Sequence, residues 1–143
     1  MAAVDDIARI QSCIENPLDR GVIGKTQIAG IIGDAPSRYA KSPSIWNATF
    51  RALKMKAIYL SLDVEESRLP DLVHVLRTSD RVMGVNVTVP YKVKIMDYLD
   101  GLDDKARQIK AVNTVVRTAD GKLVGYNTDG HGFFESLTTA QPG

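Results

Sequence analysis

The sequence predicts an α/β fold, a three-layer sandwich with a mostly parallel central sheet and an antiparallel edge hairpin. Short apolar runs of strand length alternate with amphipathic segments of helical period along most of the chain. That alternation is typical of a parallel sheet covered by helices. Late in the chain, two strand-like runs at 112–117 and 122–126 are joined through Ala119-Asp120-Gly121, which indicates a hairpin.

Composition is consistent with one globular domain and excludes several classes of protein. Of the 143 residues, 44% are hydrophobic and 24% are charged, and the net charge of +1 offers no basis for binding nucleic acid or an anionic membrane. No apolar run approaches the roughly 20 residues of a membrane span. Cys13 is the only cysteine, and His74 and His131 are far apart. We therefore expect no disulfide, no metal site and a reducing, cytoplasmic compartment.

The first 26 residues are predicted to form an N-terminal helical extension, followed by the main domain at 27–143. Residues 4–15 place Val4, Ile7, Ile10 and Ile14 at helical spacing, so this helix packs either on the domain or on a partner. A first strand is predicted at 27–33, and a loop rich in helix-breaking residues follows at 34–41.

The next predicted helix begins with Ser42 as its N-cap and Pro43 as its first helical residue, and it extends to about Lys54. Its predicted buried face consists of Ile45, Trp46, Thr49, Phe50 and Leu53. The remaining predicted elements are a strand at 57–62, a helix at 69–79, a central strand at 82–89, helices at 91–99 and 103–110, and the two hairpin strands. A last helix, capped by Thr128 or Asp129 and containing Phe133, Phe134 and Leu137, precedes a tail at 138–143.

The central strand carries the most informative polar residues. Asn86 and Thr88 share one face of a run that is otherwise β-branched and apolar, and Pro90 stops the strand because it has no backbone N–H. Lys92 then follows at the carboxyl end of the strand, where ligands bind in open α/β sheets. The sequence therefore predicts a polar site at this end of the sheet.

Four segments, in this order, resemble the substrate-binding domain of shikimate dehydrogenases and their quinate-using relatives. They are Ser37 to Asn47, Asn86 to Lys92, Ala111 to Val115, and Gly125 to Gly130. The resemblance extends from about Ile28 to about Leu137. It implies an NADP-dependent oxidoreductase of chorismate and aromatic amino acid biosynthesis, which interconverts shikimate and 3-dehydroshikimate.

The resemblance also assigns roles to residues of this chain. Lys92 and Asp129 match the family's catalytic pair, and Ser42 matches the second of two loop serines that hold the substrate carboxylate. Asn86, Thr88 and Asn113 match residues that line the substrate pocket. These residue types suit the chemistry, because oxidation of a secondary alcohol requires removal of the hydroxyl proton, and amide and hydroxyl groups can hold a polyol.

Three positions depart from the family pattern. Ala40 replaces the first loop serine, Tyr39 replaces a usual histidine, and Trp46 replaces another, although we interpret Trp46 as core together with Phe50. Tyr39 or Ser37 could supply the missing donor, and we include Tyr39 among the predicted substrate-binding residues. Otherwise the substrate would be quinate or another cyclic hydroxy acid.

The sequence does not carry the glycine fingerprint of a dinucleotide-binding domain. Gly130-His131-Gly132 lacks the third glycine of the fingerprint and does not directly follow a core strand. We therefore expect NADP to be bound mainly by a domain absent from this chain, so that the isolated chain does not turn over. A stand-alone shikimate-binding module without catalysis is the alternative from another class. The sequence does not distinguish NADP from NAD. It also leaves the oligomeric state open, with a homodimer as one option.

Overall fold

The computed structural model describes residues 5–18 and 26–129. Its helices are α1 (Asp6–Gln11), α2 (Pro36–Tyr39), α3 (Ser42–Ala52), α4 (Leu69–Arg77) and α5 (Asp104–Ile109), with 3-10 helices at Glu66–Arg68 and Lys94–Tyr98. Its strands are β1 (Gln27–Gly33), β2 (Ala57–Asp63), β3 (Val82–Val87), β4 (Gly101–Leu102), β5 (Thr114–Arg117) and β6 (Leu123–Tyr126). The predicted last helix, the tail and Gly130-His131-Gly132 lie outside the described residues. No helix within the described ranges is both long and apolar enough to cross a bilayer.

The strands form one mixed sheet in the order β2-β1-β3-β5-β6-β4, and the predicted fold class is confirmed. β1 pairs in parallel with β2 and β3, and β4 pairs in parallel with β6. The β5–β6 hairpin is antiparallel, and β5 is also antiparallel to β3. The turn contains Gly121 at a φ of 85°, a conformation that glycine adopts without strain. The hairpin lies inside the sheet because the two-residue β4 pairs with the outer side of β6.

The main hydrophobic core lies between one face of the sheet and helices α1 and α4. It includes Ile28, Ile32 and Leu62 from the strands and Leu72 and Leu76 from α4. From α1, Ile7 and Ile10 are only 2% and 0% exposed. The side chain of Asp5 caps α1 by accepting a hydrogen bond from the Ile7 N–H at 3.1 Å. The N-terminal helix therefore packs on the domain itself.

Helix α3 differs from its prediction in two respects. Of its predicted buried face only Phe50 is buried, whereas Ile45, Trp46 and Leu53 are 61%, 44% and 63% exposed, so the assignment of Trp46 to the core was wrong. The helix lies over β2 and β1, and beside it an open apolar cavity of about 350 Å³ runs between Trp46 and Val116 of β5. Ser42 is also not the N-cap, because it is already the first helical residue and Lys41 precedes it without a capping side chain.

The segment after the central strand is not the predicted α-helix over 91–99. The Lys92 carbonyl accepts the N–H of Val112 at 2.7 Å, so it is not paired within a helix. The Met96 N–H bonds to Val93 instead, three residues back, and only the 3-10 helix at Lys94–Tyr98 forms. The strand itself ends at Val87, two residues earlier than predicted, and the loop predicted at 34–41 contains the short helix α2.

Candidate active site

A tight turn at the carboxyl end of β3 delivers Lys92. The Tyr91 N–H bonds to the Thr88 carbonyl at 3.1 Å, which closes the turn around Pro90. The buried phenol of Tyr91 donates to the Val64 carbonyl at 2.7 Å and anchors the turn to the segment after β2. The Lys92 backbone is held on its other side by Val112. The lysine side chain, one third exposed, thus leaves a fixed backbone.

Lys92 forms an ion pair with Asp129. Its Nζ lies 2.8 Å from Asp129 Oδ2, and the carboxylate is 57% exposed. The hydrogen bond from Lys92 lowers the pKa of Asp129, partial burial opposes that effect, and a hydrogen bond from Asn113 lowers the pKa further. Asn127 Oδ1 accepts the Asp129 backbone N–H at 2.9 Å, and the Asn127 amide donates to the Ala111 carbonyl. Asp129 is therefore an ionised group held through both its side chain and its backbone.

Asn113 connects this pair to the end of β3. Its Nδ2 donates to Asp129 Oδ1 and to Thr128 Oγ1, both at 2.9 Å. Its Oδ1 accepts from the Thr128 N–H and from the Thr114 hydroxyl, both at 3.0 Å. Its backbone carbonyl accepts from Val87 at 2.8 Å. The Asn113 amide thus positions Asp129, and its predicted contact with a substrate stays a prediction.

Asn86 lies one step further along the same network. Its Oδ1 accepts the phenol hydrogen of Tyr59 at 2.6 Å. Its Nδ2 makes only long hydrogen bonds, 3.3 Å to Thr114 Oγ1 and 3.4 Å to the Asn113 carbonyl. Through Thr114 the structure joins Asn86 to Asn113, Asp129 and Lys92. Sequence reasoning did not identify Tyr59, because a tyrosine in an apolar strand carries no pattern that separates a polar role from simple packing.

Thr88 and Tyr39 meet at Gly33. A Cβ on Gly33 would lie 2.6 Å from Thr88 Cγ2 and 3.2 Å from the Tyr39 hydroxyl, so both side chains press against this glycine. Tyr39 is 49% exposed, and its hydroxyl donates to Asp34 Oδ1 at 3.1 Å. Partial burial and the Asp34 carboxylate raise the pKa of Tyr39, whereas the hydroxyl of Thr88 lowers it. The Tyr39 phenol therefore stands at the site as a protonated donor.

Ser37 and Ser42 have different surroundings. Ser37 donates both its backbone N–H and its hydroxyl to the Asp63 carboxylate, which takes it out of the site. The Tyr39 hydroxyl likewise gives its hydrogen to Asp34, so both candidates for the missing donor are bonded to a carboxylate in the structure. Ser42 Oγ is buried and has no hydrogen-bond partner among the described residues. Its predicted contact with a substrate carboxylate stays a prediction.

The cavity beside α3 overlaps the polar site only partly. Asn86 and Thr114 belong to its lining, but Lys92 and Asp129 do not, so the ion pair lies outside this cavity and is partly exposed. The described residues do not fit a dinucleotide. The segment after β1 is Asp34-Ala35-Pro36, without the glycines that let a backbone approach a pyrophosphate.

Comparisons with known proteins give one consistent result. Residues 31–115, more than half of the chain, match the model of the shikimate dehydrogenase substrate binding domain. The shikimate dehydrogenase (NADP(+)) of Bacillus subtilis is 50% identical over 111 residues, which is 78% of this chain and 39% of that protein.

Solved structures agree with the sequence match. A shikimate 5-dehydrogenase from Listeria monocytogenes, in complex with shikimate and NAD, superposes with a TM-score of 0.76 at 37% identity and covers 87% of this chain and 42% of its own. The 5-ketofructose reductase of a Gluconobacter strain superposes with a TM-score of 0.73 at 34% identity, over 81% of this chain and 41% of its own. The chain thus spans about two fifths of the length of the relatives that it matches.

Proposed function

Because the chain belongs to the family of shikimate dehydrogenase substrate-binding domains, we propose that it forms the substrate-binding half of an NADP-dependent shikimate dehydrogenase. In this proposal Lys92 and Asp129 act on the hydroxyl that is oxidised. Asn86, Thr88, Asn113, Ser42 and Tyr39 hold the other oxygen atoms of shikimate. Domain 27–143 carries this site, with the helix of the N-terminal extension packed on it as part of the same core.

The pair can move the proton that the reaction requires. Oxidation of a secondary alcohol breaks its O–H and C–H bonds, so the hydroxyl proton must go to a base while a hydride leaves the carbon. Lys92 is an ammonium in the ion pair, so it must first release one proton to solvent. As the amine, Nζ then takes the hydroxyl proton, and as the ammonium it returns that proton to the carbonyl oxygen in the reverse reaction. The Asp129 carboxylate, 2.8 Å away, orients Nζ and can accept a hydrogen bond from the substrate hydroxyl.

NADP, when bound, would accept the hydride. We assign its binding to residues outside the described ranges, because the segment after β1 lacks the glycines that a pyrophosphate site needs. The observation that carries the proposal is the Lys92–Asp129 pair at the carboxyl end of β3, held by a continuous network of amides and hydroxyls. The Asn86 amide nitrogen suits a polyol, because a substrate hydroxyl can accept a shorter hydrogen bond than the two long ones it now makes.

The activity is tested in the complete protein by following reduction of NADP and NAD at 340 nm, the wavelength at which reduced nicotinamides absorb. Shikimate and quinate are compared as substrates at matched concentrations. We expect shikimate with NADP to give the highest kcat/KM. Turnover of neither ring acid with either nucleotide would reject the proposal.

Quinate or another cyclic hydroxy acid is the second candidate substrate, and one observation favours it. Ala40 offers no hydroxyl at the predicted carboxylate end, and the Tyr39 phenol beside it is already bonded to Asp34. Likeness in fold does not decide between the rings, because one solved relative is named a 5-ketofructose reductase. A kcat/KM for quinate above that for shikimate would select this alternative.

A stand-alone binding module is the candidate from another class. Such a module needs the pocket but has no use for a proton shuttle. It predicts that Lys92→Ala leaves shikimate affinity nearly unchanged and that the complete protein has no dehydrogenase activity.

A further inference from the structure

Tyr59 reaches the site from β2, which is the strand at one edge of the sheet. In the strand register Tyr59 of β2 stands beside Ala29 of β1, which stands beside Gly84 of β3. Ala29 has only a methyl group and Gly84 has no side chain, so the tyrosine ring can lie across the sheet face toward β3. Its hydroxyl ends 2.6 Å from Asn86 Oδ1, although the ring is only 4% exposed.

The position of this residue is fixed by contacts to its backbone and to one face of its ring. The Asn47 side chain donates to the Tyr59 carbonyl at 2.9 Å and accepts the Tyr59 N–H at 2.8 Å, in place of a further strand at this edge. The indole of Trp46 stacks on the Tyr59 ring, with centroids 5.9 Å apart and an interplanar angle of 6°. The same indole contacts Phe50, with centroids 5.7 Å apart. These contacts hold the Tyr59 hydroxyl within hydrogen-bond distance of Asn86.

The orientation of the Asn86 amide follows from the contacts of its nitrogen. Its oxygen faces the Tyr59 phenol, which donates to it. On the other side, the Thr114 hydroxyl gives its hydrogen to Asn113 Oδ1 and can therefore only accept from Asn86. The Asn113 carbonyl is also an acceptor. A flipped amide would place its oxygen against two acceptors.

Resting on the proposed function, we infer that Tyr59 is a positioning residue that presents Asn86 to the substrate as a hydrogen-bond donor. The Asn86 oxygen accepts a short hydrogen bond from Tyr59, whereas its nitrogen makes only the two long bonds of 3.3 and 3.4 Å. A substrate oxygen can replace either bond with a shorter one. The site thereby selects a ring whose substituent at this point is an acceptor oxygen, and it rejects an ammonium or a methylene there.

The electrostatics of the phenol support the assignment. Burial raises the pKa of Tyr59, and the Ser42 hydroxyl, which lies near the phenol without forming a hydrogen bond of normal geometry, opposes the shift. The phenol thus keeps its proton, and with it the orientation of Asn86, throughout the neutral range.

The test compares Tyr59→Phe with Tyr98→Phe, which removes a phenol from a tyrosine in the 3-10 helix at Lys94–Tyr98, away from the site. Two quantities are measured for each variant: the resonances of the Asn86 side-chain NH2 in the ligand-free chain, by 15N NMR, and shikimate affinity by calorimetry. We expect Tyr59→Phe alone to shift the Asn86 NH2 resonances and to weaken shikimate binding on the order of tenfold, the effect of one lost hydrogen bond.

A double-mutant cycle with Asn86→Ala shows whether the effect passes through Asn86. In the Asn86→Ala background we expect Tyr59→Phe to cause no further loss of affinity. An equal loss in both backgrounds, or unchanged Asn86 NH2 resonances in Tyr59→Phe, would overturn the inference. If the unmutated chain binds no shikimate, the proposed function is at fault, and the resonances alone decide the role of Tyr59.

Discussion

Lys92 Nζ and Asp129 Oδ2 lie 2.8 Å apart although 37 positions separate them in the sequence. The contact depends on two backbone anchors. Val112 holds the Lys92 carbonyl, and the Asn127 side chain holds the Asp129 N–H. Asn113 lies between these anchors and donates to the free carboxylate oxygen. The surrounding backbone and side-chain hydrogen bonds therefore hold the two groups together. The electrostatic attraction between Lys92 and Asp129 adds little, because both side chains are partly exposed.

Replacement of Lys92 tests the proton-transfer role. Lys92→Ala should lower kcat of the complete enzyme by about 10² to 10⁴, the usual contribution of one general acid–base group. The fold should survive, because the side chain is 34% exposed and pairs with Asp129 alone among the described residues. Lys94→Ala is the matched control, since it breaks a comparable exposed ion pair, Lys94–Glu66 at 2.7 Å. Near-normal turnover of Lys92→Ala would remove the lysine from the mechanism.

The titration of Asp129 reports the ion pair directly. Its pKa is lowered from the ordinary value of 3.8, so the stabilising effect of the pair is present above that value and is lost as the pH falls through the lower folded pKa. Lys92→Ala should raise the pKa of Asp129, as measured by carboxyl 13C NMR. Asp120 is an internal control, because its lowered pKa comes first from Thr118 and should not move. An unchanged Asp129 titration would mean that the two groups do not pair in solution.

Gly33 should not tolerate a side chain. Gly33→Ala would place a Cβ 2.6 Å from Thr88 Cγ2 and 3.1 Å from the Val89 carbonyl, which must displace the turn that leads to Lys92. We expect a loss of about 1–3 kcal/mol in the free energy of unfolding, together with weaker shikimate binding. Gly101→Ala is the control, because nothing lies within 4 Å of its added Cβ. Equal denaturant midpoints for the two variants would contradict the close approach at Gly33.

The N-terminal helix should be part of the folded domain. Ile10 is 0% exposed, so Ile10→Ala should lower the free energy of unfolding by about 2–5 kcal/mol. The same substitution at Ile45, which is 61% exposed on α3, should change it by less than about 0.5 kcal/mol. Urea unfolding of both variants measures the difference. Similar midpoints would show that α1 does not share the core.

Much of the architecture could be predicted because strand-length apolar runs and breaker residues are local signals. The bounds of β1 and the Ala119-Asp120-Gly121 turn needed no tertiary information. The exposure of Trp46 and the replacement of the predicted α-helix after Tyr91 by a 3-10 helix could not be predicted in this way. Whether Trp46 is covered depends on what packs over α3, and the helix after Tyr91 is prevented by a hydrogen bond to Val112, twenty residues along the chain.

The candidate site also combines residues that local sequence signals identify with residues whose role depends on tertiary contacts. Lys92 and Asp129 were found through sequence motifs, and the structure brings them together. Tyr59 was not found, because its role arises from the register of three strands and from the small side chains of Ala29 and Gly84 beside it. The hydrogen bonds that engage Ser37 with Asp63 and Tyr39 with Asp34 likewise could not be predicted from the sequence.

Calorimetric titration of this chain with shikimate and with quinate tests most directly whether the end of β3 is a preformed substrate site. We predict saturable binding of shikimate, tighter than that of quinate, which weakens in Asp129→Asn because the anionic partner of Lys92 and of the substrate hydroxyl is lost. Binding of equal strength in Asp129→Asn, or no binding of either ring acid, would contradict a preformed shikimate site built on the Lys92–Asp129 pair.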